Sequence, residues 1–393
     1  MIALPEAVQR LADAVHRAGP DDLASLASQV SADLGALGMT VYLVDYAQTA
    51  FTPFAPPGSP PGELVAIDGT LAGQSYGTGT IQHAAIGGVY HVWAPLVDGA
   101  ERLGVLYTVT AAAPDAVALT AYGTVAALLA EILVTRRRYG DAIERARRRL
   151  PMQLAAEIIW TQLPPLTFAS RDVAVSAVLE PCYDVGGDAF DYAINDGVLH
   201  VAMFDAVGHG IAASATTSLA LNAYRNARRL GLDLADTYRS IDKWVAAQHP
   251  DSFLTALLGE LDTRTGVYRR ISAGHPGELL LRDDVLVHLL PAPTAMPLGL
   301  GQLTDPIPDI TETVLRPGDN LLLYTDGVVE ARTAAGEFFG IERLAAFVAR
   351  ALADHHSTAE TMRRLVHAIL EHQHEQLQDD ATAALLTFRP ATA

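Results

Sequence analysis

Four aspartates stand in short signatures, the first three of them holding glycine: Gly186-Gly187-Asp188, Asp205-Ala-Val-Gly208-His209-Gly210, Thr325-Asp326-Gly327 and Asp379-Asp380-Ala-Thr382. Magnesium and manganese prefer hard oxygen ligands and keep several waters, so their sites are built from a few carboxylates rather than from histidine and cysteine cages. Two such cations about 3.5–4 Å apart can activate a water and neutralise charge on a departing phosphate oxygen, with no covalent enzyme intermediate. The four acids therefore read as the ligand set of a two-metal phosphate-cleaving site. Each lies at the edge of an apolar, strand-like run, and the glycines beside Asp205 and Asp326 permit tight turns at strand ends. A folded sheet can bring together what the chain scatters.

The elements that would do this follow from hydrophobic periodicity. Residues 6–17 and 21–36 have helical spacing, and 39–46 reads as a strand. A dense run of breakers, Pro53, Pro56, Pro57, Gly58, Pro60, Pro61 and Gly62, must then be a loop. Residues 63–67, 89–97 and 102–110 read as further strands. From 117 to 160 the pattern is helical, interrupted at Gly140. Within it, 136–149 holds seven arginines and two acids, which reads as a solvated connecting helix lying against acidic neighbours. Tyr139, Ile143, Ala146 and Leu150 recur at spacings of three and four, a short coiled-coil seam for a homodimer. Beyond Leu163-Pro164-Pro165, strand pairs (173–179, 188–193, 198–205, 253–262, 267–272, 279–282, 285–289, 320–324, 382–388) alternate with helix pairs (211–229 and 235–248; 341–352 and 359–375). The last helix opens on a capping box, Ser357-x-x-Glu360. Strands in pairs with helices in pairs predict two packed sheets covered by helices.

Composition removes several other chemistries. At 393 residues the chain predicts two domains. A net charge of −18, from 27 basic and 45 acidic residues, repels nucleic acid and anionic lipid. The single cysteine, Cys182, leaves no disulfide, cysteine-ligated zinc or iron–sulfur cluster. A Cys-x5-Arg phosphate loop fails there too, because Asp188 stands where the arginine would fall. The amino terminus carries early charge and no signal-peptide pattern, and the longest apolar stretch, 121–134, contains Glu131 and is short of the ~20 residues a membrane span needs. A soluble, cytoplasmic protein with no membrane span is expected.

Six stretches in order sharpen the carboxyl-terminal half: Val185-Gly-Gly-Asp-Ala-Phe-Asp191, Met203-Phe-Asp-Ala-Val-Gly-His-Gly210, Ser272-Ala-Gly-His-Pro276, Pro297-Leu-Gly299, the run from Pro317 through Thr325-Asp-Gly to Glu330, and Gln378-Asp-Asp-Ala-Thr382. Together they resemble the SpoIIE/RsbU-type branch of the metal-dependent, type 2C-like (PPM) serine/threonine protein phosphatases. Val41-Tyr-Leu-Val-Asp45, Val92-Trp-Ala-Pro-Leu96 and Leu103-Gly-Val-Leu-Tyr107 resemble a GAF domain. The resemblance implies an α+β protein in three parts: a GAF-like sensory or dimerisation domain over 1–135, with an antiparallel sheet, flanking helices and an unidentified ligand; a helical linker over 136–162; and a phosphatase domain over 163–393 built as an α-β-β-α sandwich.

It further implies that Asp205 bridges two Mn2+ or Mg2+ ions, that the backbone carbonyl of Ala206 completes one coordination sphere, and that Asp326 and Asp379 hold the second metal. Asp379 is preferred to Asp380, with that choice left open. Asp188 would bind the first metal or orient its waters. The implied substrate is phosphoserine or phosphothreonine in a signalling partner of the anti-sigma-factor-antagonist type, with control by the amino-terminal domain and a homodimer through linker and GAF-like domain. Two rivals stand beside this: a catalytically inactive phosphatase-fold binding module, and a hydrolase of small phosphate esters. His209 and His275, each beside a glycine, are better read as structural than as proton donors. Two departures from the family pattern are Val207, where a small polar residue is common, and Ala189, where an aromatic is frequent; no phosphate-holding arginine is identifiable.

Overall fold

The computed structural model describes residues 4–390 except 61, 185, 284, 291–294, 304–307 and 374–378. Val185 and Gln378 of the quoted stretches lie outside the described residues, as does the end of the predicted last helix. The chain divides into two compact units, Met1–Pro151 and Met152–Ala393.

The first unit runs α1 (Leu4–Arg17), α2 (Leu26–Gln29), β1 (Gly38–Val44), β2 (Ala50–Pro53), β3 (Val65–Ala66), α3 (Leu71–Thr78), β4 (Gln82–Ile86), β5 (Val89–Asp98), β6 (Glu101–Thr110), α4 (Ala116–Arg136) and α5 (Ala142–Arg147). Its strands form one antiparallel sheet in the order β3-β2-β1-β6-β5-β4. Alternation along β1 and β5 sends Met39, Val41, Leu43, Val92, Ala94 and Leu96 into one core with the buried side of α4. Asp115 caps α4 by accepting from the Ala118 amide, 2.8 Å. The apolar helical run extends over Ala116–Tyr139, longer than the stretch the sequence reading delimited, and is long and apolar enough to cross a membrane by length and composition. Its Ala118, Ala121, Tyr122, Val125, Ala126, Leu129, Ala130 and Leu133 are nevertheless buried against the sheet core. That is the pattern of a core helix.

The continuous connecting helix is not there. After Arg136 the chain makes a short 3-10 turn, Gly140 is fully extended (φ 179°), α5 lasts six residues, and Arg148 is extended again before Pro151. Gly140 supplies the first break, and Pro151, which cannot continue a helix without losing a hydrogen bond, closes the second. The coiled-coil seam goes with it: Ile143 is buried in the core of the first unit, whereas Tyr139 and Leu150 are exposed. The arginines do lie against acids, Arg137 on Glu101 at 3.2 Å and Arg149 on the fully buried Asp45 at 3.1 Å. Asp45 also accepts from Thr49 N and Oγ1 at 2.8 and 2.9 Å, so the β1–β2 turn and the arginine segment are tied together.

The second unit comprises α6 (Leu154–Trp160), β7 (Thr167–Ala169), β8 (Val173–Glu180), β9 (Asp188–Asn195), β10 (Val198–Ala206), α7 (Gly210–Arg229), α8 (Leu234–Gln248), β11 (Leu254–Asp262), β12 (Val267–Ala273), β13 (Leu279–Arg282), β14 (Val285–Leu289), β15 (Thr311–Val314), β16 (Asn320–Tyr324), α9 (Asp326–Val329), α10 (Ile341–Ala353), α11 (Thr358–His372) and β17 (Ala381–Phe388). Two antiparallel sheets result, β15-β12-β11-β10-β9 and β14-β13-β16-β17-β8-β7. Val175, Met203, Leu257, Leu321 and Leu386 pack between the sheets. Phe204, Leu258 and Ile271 face Leu221, Tyr238 and Ile241 of α7 and α8, while Leu322 and Leu385 face Leu344, Val348 and Leu365 of α10 and α11. This is the expected α-β-β-α sandwich. The capping box is only half made: Ser357 accepts from Glu360 N, but the Glu360 carboxylate turns to Arg363 and Arg364.

Candidate metal centre between the two sheets

Each sheet delivers acids to the same end of the sandwich. Asp188 opens β9 and Asp205 lies one residue from the end of β10, and the antiparallel register places them directly opposite each other. From the other sheet, Asp326 begins α9 just beyond β16, and Asp379 and Asp380 lead into β17, whose Ala383 pairs with Tyr324. Close backbone approach is needed where the strands exit. A Cβ at Gly327 would stand 1.9 Å from the Asp380 carbonyl, and one at Gly187 would stand 2.7 Å from the Ala206 carbonyl, so only glycine fits.

The two sheets are stitched across this gap by polar contacts. The Oδ2 of Asp380 accepts from the amides of Gly186, Gly187 and Asp188 at 2.8, 2.6 and 3.2 Å. Thr325 donates its hydroxyl to Asp188 Oδ2 at 2.8 Å, and its Oγ1 accepts from the Thr382 amide at 3.0 Å. The Thr217 hydroxyl of α7 donates to the Gly187 carbonyl, fixing the same loop from the helix side. Burial grades outward: Asp188 is 2% exposed, Asp205 is partly exposed, and Asp326 and Asp379 are exposed. Asp188 is thus the floor of the site.

The acids act on one another's charge. Burial, followed by the charges of Asp326, Asp379 and Asp380, pushes Asp205 up to about 7. Burial, then Asp205 and Asp380, raises Asp188 well above the usual carboxylate range. Asp326, exposed as a residue, is raised by partial desolvation of its carboxyl and then by Asp379. Among the described residues no three acids, histidines or cysteines already form a closed ligand set. Like charges this close resist closing up, and a divalent cation among them reverses that penalty. An all-oxygen donor set under mutual repulsion fits Mg2+ or Mn2+.

The two acids of the Asp379-Asp380 pair have different work. Asp380 is committed to three backbone amides, whereas Asp379 is exposed and bonds only locally, accepting from the Asp380 amide at 2.9 Å. Sequence reasoning left the ligand choice open and missed Asp380 as an anchor; no spacing rule signals a carboxylate that caps a loop nearly two hundred residues away. Ala206 is buried, its carbonyl against Gly187. Asp319, just before β16, pairs with Arg282 and accepts from the Arg316 amide.

The two histidines part company. His209 is exposed at the start of α7. His275 is buried, its Nδ1 2.8 Å from Thr255 Oγ1, and burial pushes it down to about 4. Its unfolded counterpart binds a proton near 6.5, so stability is lost as pH falls from about 6.5 toward 4, by up to about 3 kcal/mol. His275→Asn is expected to remove that part of the acid sensitivity, read from urea midpoints at pH 7 and pH 5.

The family model for Stage II sporulation protein E (SpoIIE) matches residues 195–389. The chain therefore carries a SpoIIE-family, PP2C-type phosphatase domain. The matched range holds Asp205, Asp326, Asp379 and Asp380, and Asp188 precedes it. Two curated proteins are similar to the chain. Protein IcfG of Synechocystis sp. is 24% identical, over 52% of this chain and 36% of its own length. Phosphoserine phosphatase RsbU of Bacillus subtilis is also 24% identical, over 60% of this chain and 69% of its own. The chain thus spans about a third of the first relative and about two thirds of the second. Among solved structures, the RsbU and RsbW domains of Rv1364c from Mycobacterium tuberculosis align with a TM-score of 0.49 and 26% identity, covering 57% of this chain and 63% of that one. The SiaA-PP2C domain of Pseudomonas aeruginosa aligns with a TM-score of 0.47 and 24% identity, covering 55% and 85%.

Proposed function

We propose that this protein is a Mn2+- or Mg2+-dependent serine/threonine protein phosphatase acting on a phosphorylated signalling protein, with the first unit controlling it. The observation that carries this is the meeting of Asp188, Asp205, Asp326, Asp379 and Asp380 from two sheets at one end of a SpoIIE-family domain. In this reading Asp188, Asp205, the Ala206 carbonyl, Asp326 and Asp379 are the groups that would hold the two cations. Bound there, the ions would acidify a water and neutralise phosphate charge.

The chain's own part is positioning. Asp380 and Thr217 fix the loop that carries Asp188, and Thr325 orients its carboxylate. The water oxygen bonds to phosphorus as the phosphorus–serine oxygen bond breaks, and the serine oxygen takes up a proton, leaving serine and inorganic phosphate. His275, buried and neutral near pH 7, is a structural partner of Thr255 rather than the proton donor.

The similarity to a relative named phosphoserine phosphatase RsbU supports phosphoserine as the substrate class, and a partner of the anti-sigma-factor-antagonist type belongs to the same proposal. A GAF-like first unit, a cytoplasmic location and a homodimer belong to the same reading. With no continuous helical seam after Arg136, the dimer would be carried by the first unit. Phosphate release from an aryl phosphate and from phosphoserine peptides tests the activity. Turnover is expected with added Mn2+ and none with excess chelator; no turnover on any of them with either metal would overturn it and favour the inactive binding module. Preference for nucleotides or sugar phosphates over phosphopeptides would favour the small-ester reading.

A further inference from the structure

Immediately beyond Asp205 the chain shows apolar side chains to solvent where the acid cluster opens. Val207 is 49% exposed and Ile211, in the first turn of α7, is 57% exposed. Phe253 is half-buried, and its carbonyl accepts from the Val207 amide at 3.1 Å, so it borders the same spot. The loop carrying them cannot lift away freely. A Cβ at Gly186 would stand 2.7 Å from the Gly210 nitrogen and 3.0 Å from the His209 Cα, so residues 209 and 210 lie against the strand entry that leads to Asp188. Thr216 of α7 contacts Ser252 at 3.4 Å, which holds the Phe253 segment from the other side. Isolated exposed apolar residues are ordinary on a protein surface. Val207 and Phe253 are joined by a backbone hydrogen bond next to Asp205, and Ile211 follows four residues after Val207, so the three are not scattered.

We propose that Val207, Ile211 and Phe253 form an apolar shelf that reads the residue one or two positions from the phosphorylated side chain and selects an apolar one. The occupant follows from continuity with the site. Val207 is two residues from Asp205, so their Cα atoms lie at most about 7 Å apart, within the step that separates a phosphorylated residue from its second neighbour in an extended substrate. The exposed acids of the site, Asp326 and Asp379, repel acidic neighbours on their side. The shelf also gives a role to Val207, the departure from the family pattern that the metal centre does not use. This inference rests on the phosphatase reading and narrows its substrate.

The test uses the full chain with Mn2+ and two phosphoserine peptides that differ only beside the phosphoserine, leucine in one and serine in the other. The parent is expected to favour the leucine peptide about 10- to 100-fold in kcat/KM, the range that loss of small apolar contacts produces. The double variant Val207→Ser/Ile211→Ser is expected to bring that ratio to within about threefold of unity, and Val207→Thr, which keeps the side-chain shape, to lower it by a smaller factor. A parent without the preference, or a variant that keeps it, overturns the shelf while leaving the phosphatase intact. Failure of the parent to hydrolyse even an aryl phosphate overturns the phosphatase reading, and the shelf with it.

Discussion

Asp205→Asn is expected to lose Mn2+-dependent phosphate release by on the order of 10³-fold while the metal-free protein becomes harder to unfold. The loss follows from removing the one carboxylate proposed to face both cations, since groups that stabilise charge in phosphoryl or acyl transfer are commonly worth 10²–10³-fold or more each. The gain in stability follows from crowding. Asp205 is held up to about 7 by burial and by Asp326, Asp379 and Asp380, so above that pH its ionised form strains the fold. The rise from 3.8 caps the gain at about 4 kcal/mol, present above about pH 7 and vanishing as pH falls toward 4, where the carboxyl is protonated in both states. Melting with and without Mn2+ checks both halves. The parent should gain stability with metal by mass action, and the variant should start higher and gain little. A variant that loses activity and melts lower in the absence of metal would show a merely structural Asp205.

What the sequence made legible and what it hid divide along local and non-local physics. Asp188, Asp205 and Asp326 were visible because each sits where an apolar run meets a glycine, and Asp379 because its acid pair opens the apolar run 381–388, signals that lie within a few residues. The sandwich was visible because runs such as 198–205 and 253–262 carry their own periodicity, and they pair as β10 and β11. β7, β15 and α9 were not, since a strand of three or four residues has too few turns of any period to register. In the first unit β2, β4 and α3 were missed for related reasons: β4 is an exposed edge, and the α3 segment Leu71–Thr78 holds two glycines and no amphipathic stripe. The break at Pro151 was present in the sequence and outweighed by the arginine-rich helical pattern around it. Tertiary pairing, as between Asp380 and Gly187, leaves no trace in a single sequence.

That pairing sets the second large effect. Asp380 is partly buried, its carboxyl is raised by that burial, and the amides of Gly187, Gly186 and Asp188 act in the opposite direction. These three bonds hold the loop that carries Asp188 to the strand entry that carries Asp379, so one side chain locks the two sheets at the site. Asp380→Ala would leave three amides without their acceptor. A hydrogen bond to a charged group is worth about 1.5–3 kcal/mol, and loss of the set, partly offset by water reaching the loop, is expected to cost about 3 kcal/mol of stability. The functional consequence travels through Asp188 and Asp379: metal affinity should fall by about 10- to 100-fold, the usual effect of removing a group that orients ligands without touching the ion. Asp380→Asn keeps one carbonyl oxygen for the amides and should recover part of both losses. The deciding measurement is turnover against Mn2+ concentration. For a positioning residue, saturating metal restores much of kcat in Asp380→Asn, whereas for a ligand it does not; Asp379→Asn, at the exposed neighbour, is expected to behave in the second way and to leave stability without metal unchanged or slightly raised.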